Sequence, residues 1–165
     1  MASSIRSGSL KVNAQIAAIL DLTRNDGSVQ VDDYSAIGKS VNVPSDANLL
    51  YHQKVTVTAG SNATVDLSGS LTNALGEACV FAKVYAIMII NLNTVSGDYV
   101  DVGNSNFATW LGSATDTVKV GPKGVLLVTS PVDGHTVTAS TGDILKIAAP
   151  GSNNVNVHIV VLGKS

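Results

Sequence analysis

Hydrophobic and polar residues alternate along most of this chain with a period of two. Val12, Ala14, Ile16, Ala18, Leu20 and Leu22 alternate with Lys11, Asn13, Gln15 and Asp21, although Ala17 and Ile19 interrupt the polar face. That spacing predicts a long half-buried strand. The Asp-Gly pair at the centre of RNDGS, Arg24 to Ser28, predicts a turn. From Val29 to Asn48 the alternation weakens, with Asp32, Asp33, Gly38, Pro44 and Asp46 spread through it. The reading there is an extended arm or long connection without a regular element.

From Leu49 the pattern sharpens. Tyr51, Gln53, Val55 and Val57 share one face, and His52, Lys54, Thr56 and Thr58 the other; NATVDLSG follows a turn and pairs with this run as a hairpin. LTNALGEA, Leu71 to Ala78, has room for one helical turn. The run CVFAKVYAIMIIN is rich in β-branched and aromatic residues and reads as a central strand covered on both faces. Its expected core residues are Val84, Ala86, Met88 and Ile90. Short strands follow in GDYVDVG, DTVKV, GVLLVTS, HTVTA, DILKIAA and NVNVHIVVL, separated by turn chemistry. Leu126, Val128, Val155, Val157, Ile159 and Val161 are expected to face inward, and His158 outward with Asn154 and Asn156. Roughly nine or ten short strands at close spacing predict a sandwich or barrel. The expected fold is all-β: a single antiparallel β-sandwich, jelly-roll-like, over residues 49–165, after an N-terminal strand and extended arm over 1–48.

Composition supports that class. Charged residues make up 13% of the 165, the net charge is −2, and Glu77 is the one Glu. Asp, Asn, Gly, Ser and Thr favour turns and strands over helices. With no basic surplus to neutralise phosphates, nucleic acid is not an expected partner. Cys79 is the single cysteine, so an intrachain disulfide or a Cys-based zinc site is excluded. The most apolar run, Val84 to Leu92, is far shorter than the ~20 residues a membrane helix needs, and no signal-peptide pattern opens the chain. A chain made in a cytoplasm, with no membrane partner, is the expectation.

Groups able to do chemistry are sparse. His52, His135 and His158 each sit among polar neighbours and read as surface histidines. No HExxH or calcium-loop pattern appears, so no metal or cofactor is expected. No G-x-S-x-G elbow marks a nucleophile. A pair such as Asp98 and Asp101 lacks anything that marks it for glycoside hydrolysis. Cys79 opens an apolar strand and reads as a buried inert thiol. GPKG, Gly121 to Gly124, reads as a β-turn and not a phosphate loop. No catalytic residue is assigned. Candidate interface residues are Ala17, Ala18 and Ala36, small enough for a neighbour to approach at a sheet edge, and Phe107 and Trp110. These two aromatics either plug the end of the sandwich or form an apolar knob at a subunit interface.

Three blocks carry a family likeness: VDLSGSLTNALGEACVFAKVYAIMIINLN (Val65 to Asn93), VGNSNFATWLGSATDTVKVGPKGVLLVTSP (Val102 to Pro131) and GHTVTASTGDILKIAAPGSNNVNVHIVVLG (Gly134 to Gly163). Together they resemble a group of tailed-bacteriophage virion structural proteins, over about two thirds of the chain, with SGSLKVNAQIAAILDLT adding to the likeness near the start. The resemblance implies a non-enzymatic jelly-roll cement or decoration protein on the outer surface of the capsid. It would bridge and stabilise subunits of the major capsid protein, and act as a homo-oligomer, a trimer ahead of a dimer. The competing reading is a tail-fibre or lectin-like β-sandwich module that binds host carbohydrate, with Tyr99, Phe107 and Trp110 as its aromatic cluster.

Overall fold

The computed structural model describes residues 9–16, 22–23, 29–30, 35–42, 46–69, 71–73 and 76–165, with side chains from Asp46 onward. The chain divides into two compact units, residues 7–43 and a second unit that runs from residue 44 to the end of the chain.

In the first unit, β1 (Ser9–Ile16) pairs antiparallel with β4 (Ser35–Asn42), from Ser9↔Asn42 to Ile16↔Ser35. Inside that ladder, β2 (Leu22–Thr23) pairs with β3 (Val29–Gln30). The unit is thus a hairpin ribbon with RNDGS between its inner strands. Of the expected strand Val12–Leu22, residues 12–16 lie in β1 and Leu22 opens β2, while residues 17–21 lie outside the described residues. The expectation of no regular element over Val29–Asn48 is corrected by β3 and β4. Cross-strand hydrogen bonds impose extended structure on a segment whose own pattern is weak.

The second unit is a sandwich. One sheet runs β10 (Val125–Thr129), β7 (Lys83–Asn91), β13 (Val155–Lys164), β5 (Leu49–Val57), with β11 (His135–Thr136) also beside β7. The other runs β6 (Ser61–Asp66), β12 (Ile144–Ala149), β8 (Val100–Gly103), β9 (Thr117–Val120). All pairings are antiparallel. Apart from β11, the pairs nest: β8 with β9, β7 with β10, β6 with β12, β5 with β13. A long four-tiered hairpin rolled so that β13 also meets β7, and β12 also meets β8, is the jelly-roll winding.

Turn chemistry sets the corners. Gly121-Pro122-Lys123-Gly124 closes with Gly124 N donating to Gly121 O at 2.9 Å, and Lys123 adopts φ 59. Proline followed by a residue of positive φ is the type II arrangement, so GPKG is the turn its composition predicts. LTNALGEA forms no helical turn among its described residues. Thr72 bridges Ala78, and the Asn73 side chain accepts from Glu77 N and donates to Glu77 Oε2 at 3.0 and 2.9 Å. That side chain offers the backbone an alternative to helix.

The core lies between the sheets. Val155, Val157, Ile159 and Val161 of β13 are buried, with Val57, Ile87 and Ile89 from the same sheet and Val65, Leu145, Ile147, Val100 and Val102 from the other. Leu126 and Val128 pack against this cluster from β10. Fully burying each such side chain contributes about 1.5–3 kcal/mol. The expectation for β13 is met; that for β7 is met at Val84 and Ala86, both buried, and needs correction at Met88 and Ile90. Ile87 and Ile89 are fully buried, whereas Met88 and Ile90 are half-buried on the opposite face. The cause is a β-bulge: Leu162 pairs with Ala86 but Gly163 with Val84, so Tyr85 is an extra residue. An extra residue flips every later side chain to the other face. Gly163 permits the close approach there, since a Cβ would lie 2.1 Å from Lys83 O.

Between β10 and β11 the chain leaves β7 in a short excursion. Ser130 N donates to Tyr85 O and Gly134 N to Ser130 O, at 2.9 and 3.0 Å, closing its neck, while Val132 at the tip is 87% exposed.

These burials predict that Ile87→Ala costs about 2–5 kcal/mol in denaturant unfolding and Met88→Ala less than half of that. Gly163→Ala costs roughly 1–3 kcal/mol through overpacking at the bulge. Equal losses at residues 87 and 88 would show that the bulge does not set the face.

Candidate functional site

Among the described residues, the buried polar side chains Asn91, Asp98 and Asp143 fall into two knots at opposite ends of β12. At one end, Asn91 closes β7 and is buried; its Nδ2 donates to Asp98 O (2.8 Å) and Val120 O (3.1 Å), and its Oδ1 accepts from Asn93 N (3.0 Å). The Asp98 carboxylate accepts from Asn153 Nδ2 at 2.9 Å and Asn93 Nδ2 at 2.8 Å. Donation by Asn153 and then Asn93 holds Asp98 below the usual carboxylate range. At the other end, Asp143 accepts from Ser68 Oγ and Ser140 N, both 2.7 Å, and from Asn106 Nδ2 at 3.1 Å. Its pKa is lowered too, chiefly by Ser68 and then by Ser140 N. Asn106 Oδ1 in turn accepts from Asp143 N and Ile144 N. Each knot staples loops that the strands alone leave apart.

The acid pair considered for glycoside hydrolysis divides accordingly. Asp98 is enclosed by asparagines, whereas Asp101 lies on β8 at the register position opposite Lys119. Cys79 is buried, and burial followed by the nearby Glu77 raises its thiol pKa, the opposite of an activated nucleophile. Among the described residues no group of three or more His, Cys, Asp or Glu is placed to hold a metal ion, and no helix is long and apolar enough to cross a membrane.

The candidate interface residues scatter. Ala17 and Ala18 lie outside the described residues, and Ala36 sits in β4 at the register position opposite Gln15. Phe107 is completely buried with its N donating to Ile144 O at 3.3 Å, so it plugs the core and forms no exposed knob. Trp110 is half-buried against the core, its indole Nε1 donating to Phe107 O at 3.1 Å. Tyr99 precedes β8 at the opposite end of the sandwich, under the Lys119 ammonium at 3.9 Å from its ring centre. The β12–β8 register sets Tyr99 about six residues, on the order of 20 Å, from Phe107. The structure does not bring the three aromatics together.

What it does assemble is the outer face of the β10-β7-β13-β5 sheet. The register aligns Val125, Ile90, His158 and Lys54 in one row; Leu127, Met88, Val160 and His52 in the next; Thr129, Ala86, Leu162 and Leu50 in a third. Val125 is 59% exposed, Leu50 47% and neighbouring Leu92 37%. The outer face of the other sheet is ordinary by contrast, with Asn62, Thr64, Asp66, Asp101, Lys119 and Lys146 at the corresponding positions. On the β13–β5 side of the apolar face, His52 Nε2 and His158 Nδ1 are 2.8 Å apart, the rings inclined by 18° with centres 5.0 Å apart. Near-coplanar rings at that separation meet edge to edge, so one nitrogen donates and the other accepts. At the end of the face Asp46 accepts from Tyr85 and pairs with Lys164; Lys164 first, then Tyr85, lowers its pKa.

Sequence reasoning placed His52 and His158 on polar faces separately and missed both their pairing and the surrounding apolar field. One signal was present: β7 is apolar at both parities. That pattern predicts a strand covered on both faces, and on its outer side Ala86 is buried while Met88 and Ile90 are half-buried. Neither a protein-family model nor a curated protein matches the chain.

Lowered carboxylate pKa values fix the sign of a pH effect. The stabilisation from Asp98 and Asp143 is complete above the unfolded-state value near 4 and is lost as pH falls through the lower folded-state values. Asp98→Asn and Asp143→Asn should therefore melt below wild type at pH 7, with the gap closing below about pH 4. A gap that is constant with pH would show the carboxylate charge to be irrelevant to the knots.

Proposed function

We propose that this chain is a non-enzymatic structural protein of a phage particle, a cement or decoration protein that bridges subunits of the major capsid protein on the outer surface of the head. The observation that carries the reading is the apolar outer sheet face on a domain whose other sheet face is polar. Apolar side chains gathered on one sheet face favour a surface that packs against protein. The jelly-roll winding supports it by analogy, since viral capsid domains use that winding, as do lectins. The sequence likeness to tailed-phage virion proteins points the same way. The buried acids support a structural reading, because Asp98 and Asp143 are held by hydrogen bonds to loops.

The mechanism is mechanical. Many weak contacts, repeated by symmetry, add to a large resistance against expansion of the shell. The N-terminal hairpin ribbon supplies a second element for such contacts, laid against the shell or a sister subunit by edge pairing.

Quantifying the protein on purified particles tests the assignment. Many copies per head, and heads that rupture at lower temperature without it, are the expected result. A few copies at the tail would favour carbohydrate binding, and absence from particles would end the proposal. Removing residues 1–43 should leave a cooperatively folding sandwich, whose described core begins at Leu49, that no longer stays on heads. Loss of folding in that truncation would place the ribbon in the structural core instead.

A further inference from the structure

We propose that His52 and His158 form a binding site for one late first-row divalent ion, copper(II) or nickel(II), clamped across β5 and β13. The inference is independent of the phage assignment. It goes beyond the sequence, where each histidine stands alone among polar neighbours and no metal is expected.

Placement is the first argument. His52 lies opposite Val160 and His158 opposite Lys54, so the two imidazoles are diagonal neighbours on adjacent strands. Pairing of β5 with β13, residue for residue from Val155↔Val57 to Gly163↔Leu49, fixes both backbones. Diagonal neighbours on one sheet face are about 7–8 Å apart, close enough for two imidazole rings to meet. Here they do: His52 Nε2 and His158 Nδ1 face each other at 2.8 Å. A neutral imidazole has one N–H and one lone pair, so nitrogens at this distance share a single proton. A metal ion that takes the place of that proton finds a nitrogen of each ring already turned towards it.

Distance is the second argument, and it selects the ion. Imidazole binds such ions at about 2.0–2.1 Å, so nitrogens 2.8 Å apart subtend about 85° at the metal. A tetrahedral zinc angle would need them about 3.3 Å apart. A right-angled pair suits the square-planar or tetragonal shells of copper(II) and nickel(II), and imidazole is a good ligand for both. The three central rows of the face hold no carboxylate, so calcium and magnesium lack the oxygen ligands they require. His52 is exposed and His158 half-buried, which leaves room for water to complete the shell. On binding, the shared proton passes through water to the far nitrogen of the ring that carried it, so none is gained or lost. Each ring turns about its Cβ–Cγ bond, a soft torsion, until both lone pairs meet at the ion. Lys54 opposes binding from its position opposite His158, although its long stem can carry the ammonium away over the sheet edge.

Calorimetric titration of the untagged full chain with copper(II) and with nickel(II) tests the inference. Wild type should bind one ion per chain. His52→Ala and His158→Ala should each weaken binding by at least the tenfold that loss of even an outer-shell partner costs. His135→Ala, whose imidazole Nδ1 instead meets Thr109 O, should leave binding unchanged, and Lys54→Gln should tighten it. Because the ion joins β5 to β13, nickel(II) should raise the melting temperature of wild type and not of the two histidine variants. A readout that needs no variant is proton NMR of wild type, where copper(II) should broaden the His52 and His158 ring signals before those of His135. No binding at about 100 micromolar ion overturns the inference. Binding that survives both histidine substitutions, or broadening that begins at His135, overturns it by placing the ion elsewhere.

Discussion

β13 is hydrogen-bonded along both edges, to β5 and to β7, and buries every second side chain from Val155 to Val161. The rest of the sandwich depends on that arrangement. It brings together strands that are far apart in the chain, and its alternating residues supply the apolar layer on which the second sheet rests. A chain whose first and last sandwich strands are neighbours has mostly long-range contacts, and their loop-closure entropy must be offset before pairing stabilises anything. The two polar knots belong to the same problem. With Asn91 and Asp98 at one end and Asn106 and Asp143 at the other, loops that would fray are tied to the sheets, by Asn91 through backbone carbonyls and by the two carboxylates through hydrogen bonds to charged oxygen, the stronger kind.

Much of the sandwich was legible because its strands obey one period and its corners use residues with specific backbone demands. The alternation in NVNVHIVV places Val155 to Val161 inward without help from structure, and GPKG announces its own turn. The expected hairpin of NATVDLSG with the preceding run does not form, because β5 pairs with β13 and β6 with β12 in the other sheet; three further features were not legible, each for a physical reason. Tyr85 shifts the parity of β7, and nothing local in KVYAIMIIN distinguishes a bulge from a regular strand. The pairing of β4 with β1 was hidden because β4 takes its conformation from its partner and not from its own pattern. The histidine pair spans 106 residues of sequence, so it exists only once β5 and β13 are side by side. Phe107 and Trp110 show the limit of residue type as evidence: the same loop buries one wholly and leaves the other half covered.

The two outer sheet faces differ in polarity. On the four-stranded sheet, Lys119, Asp101 and Lys146 keep the surface wet. On the other, the residues that the bulge turns outward, Met88 and Ile90 among them, join Leu127, Val160 and Leu162. A single extra residue in β7 therefore helps decide both what fills the core and what lies on the outer face of the sheet. The aliphatic content of that strand serves two surfaces at once.

The excursion between β10 and β11 lends itself to engineering. Its neck is closed by backbone hydrogen bonds from Ser130 and Gly134, so the residues between them carry none of the sheet's ladder, and Val132 stands almost fully in solvent. Lengthening a loop whose ends are already fixed costs little, about 0.6 kcal/mol for each doubling. A foreign peptide grafted between Pro131 and Asp133 would be displayed from a rigid base without entering either sheet.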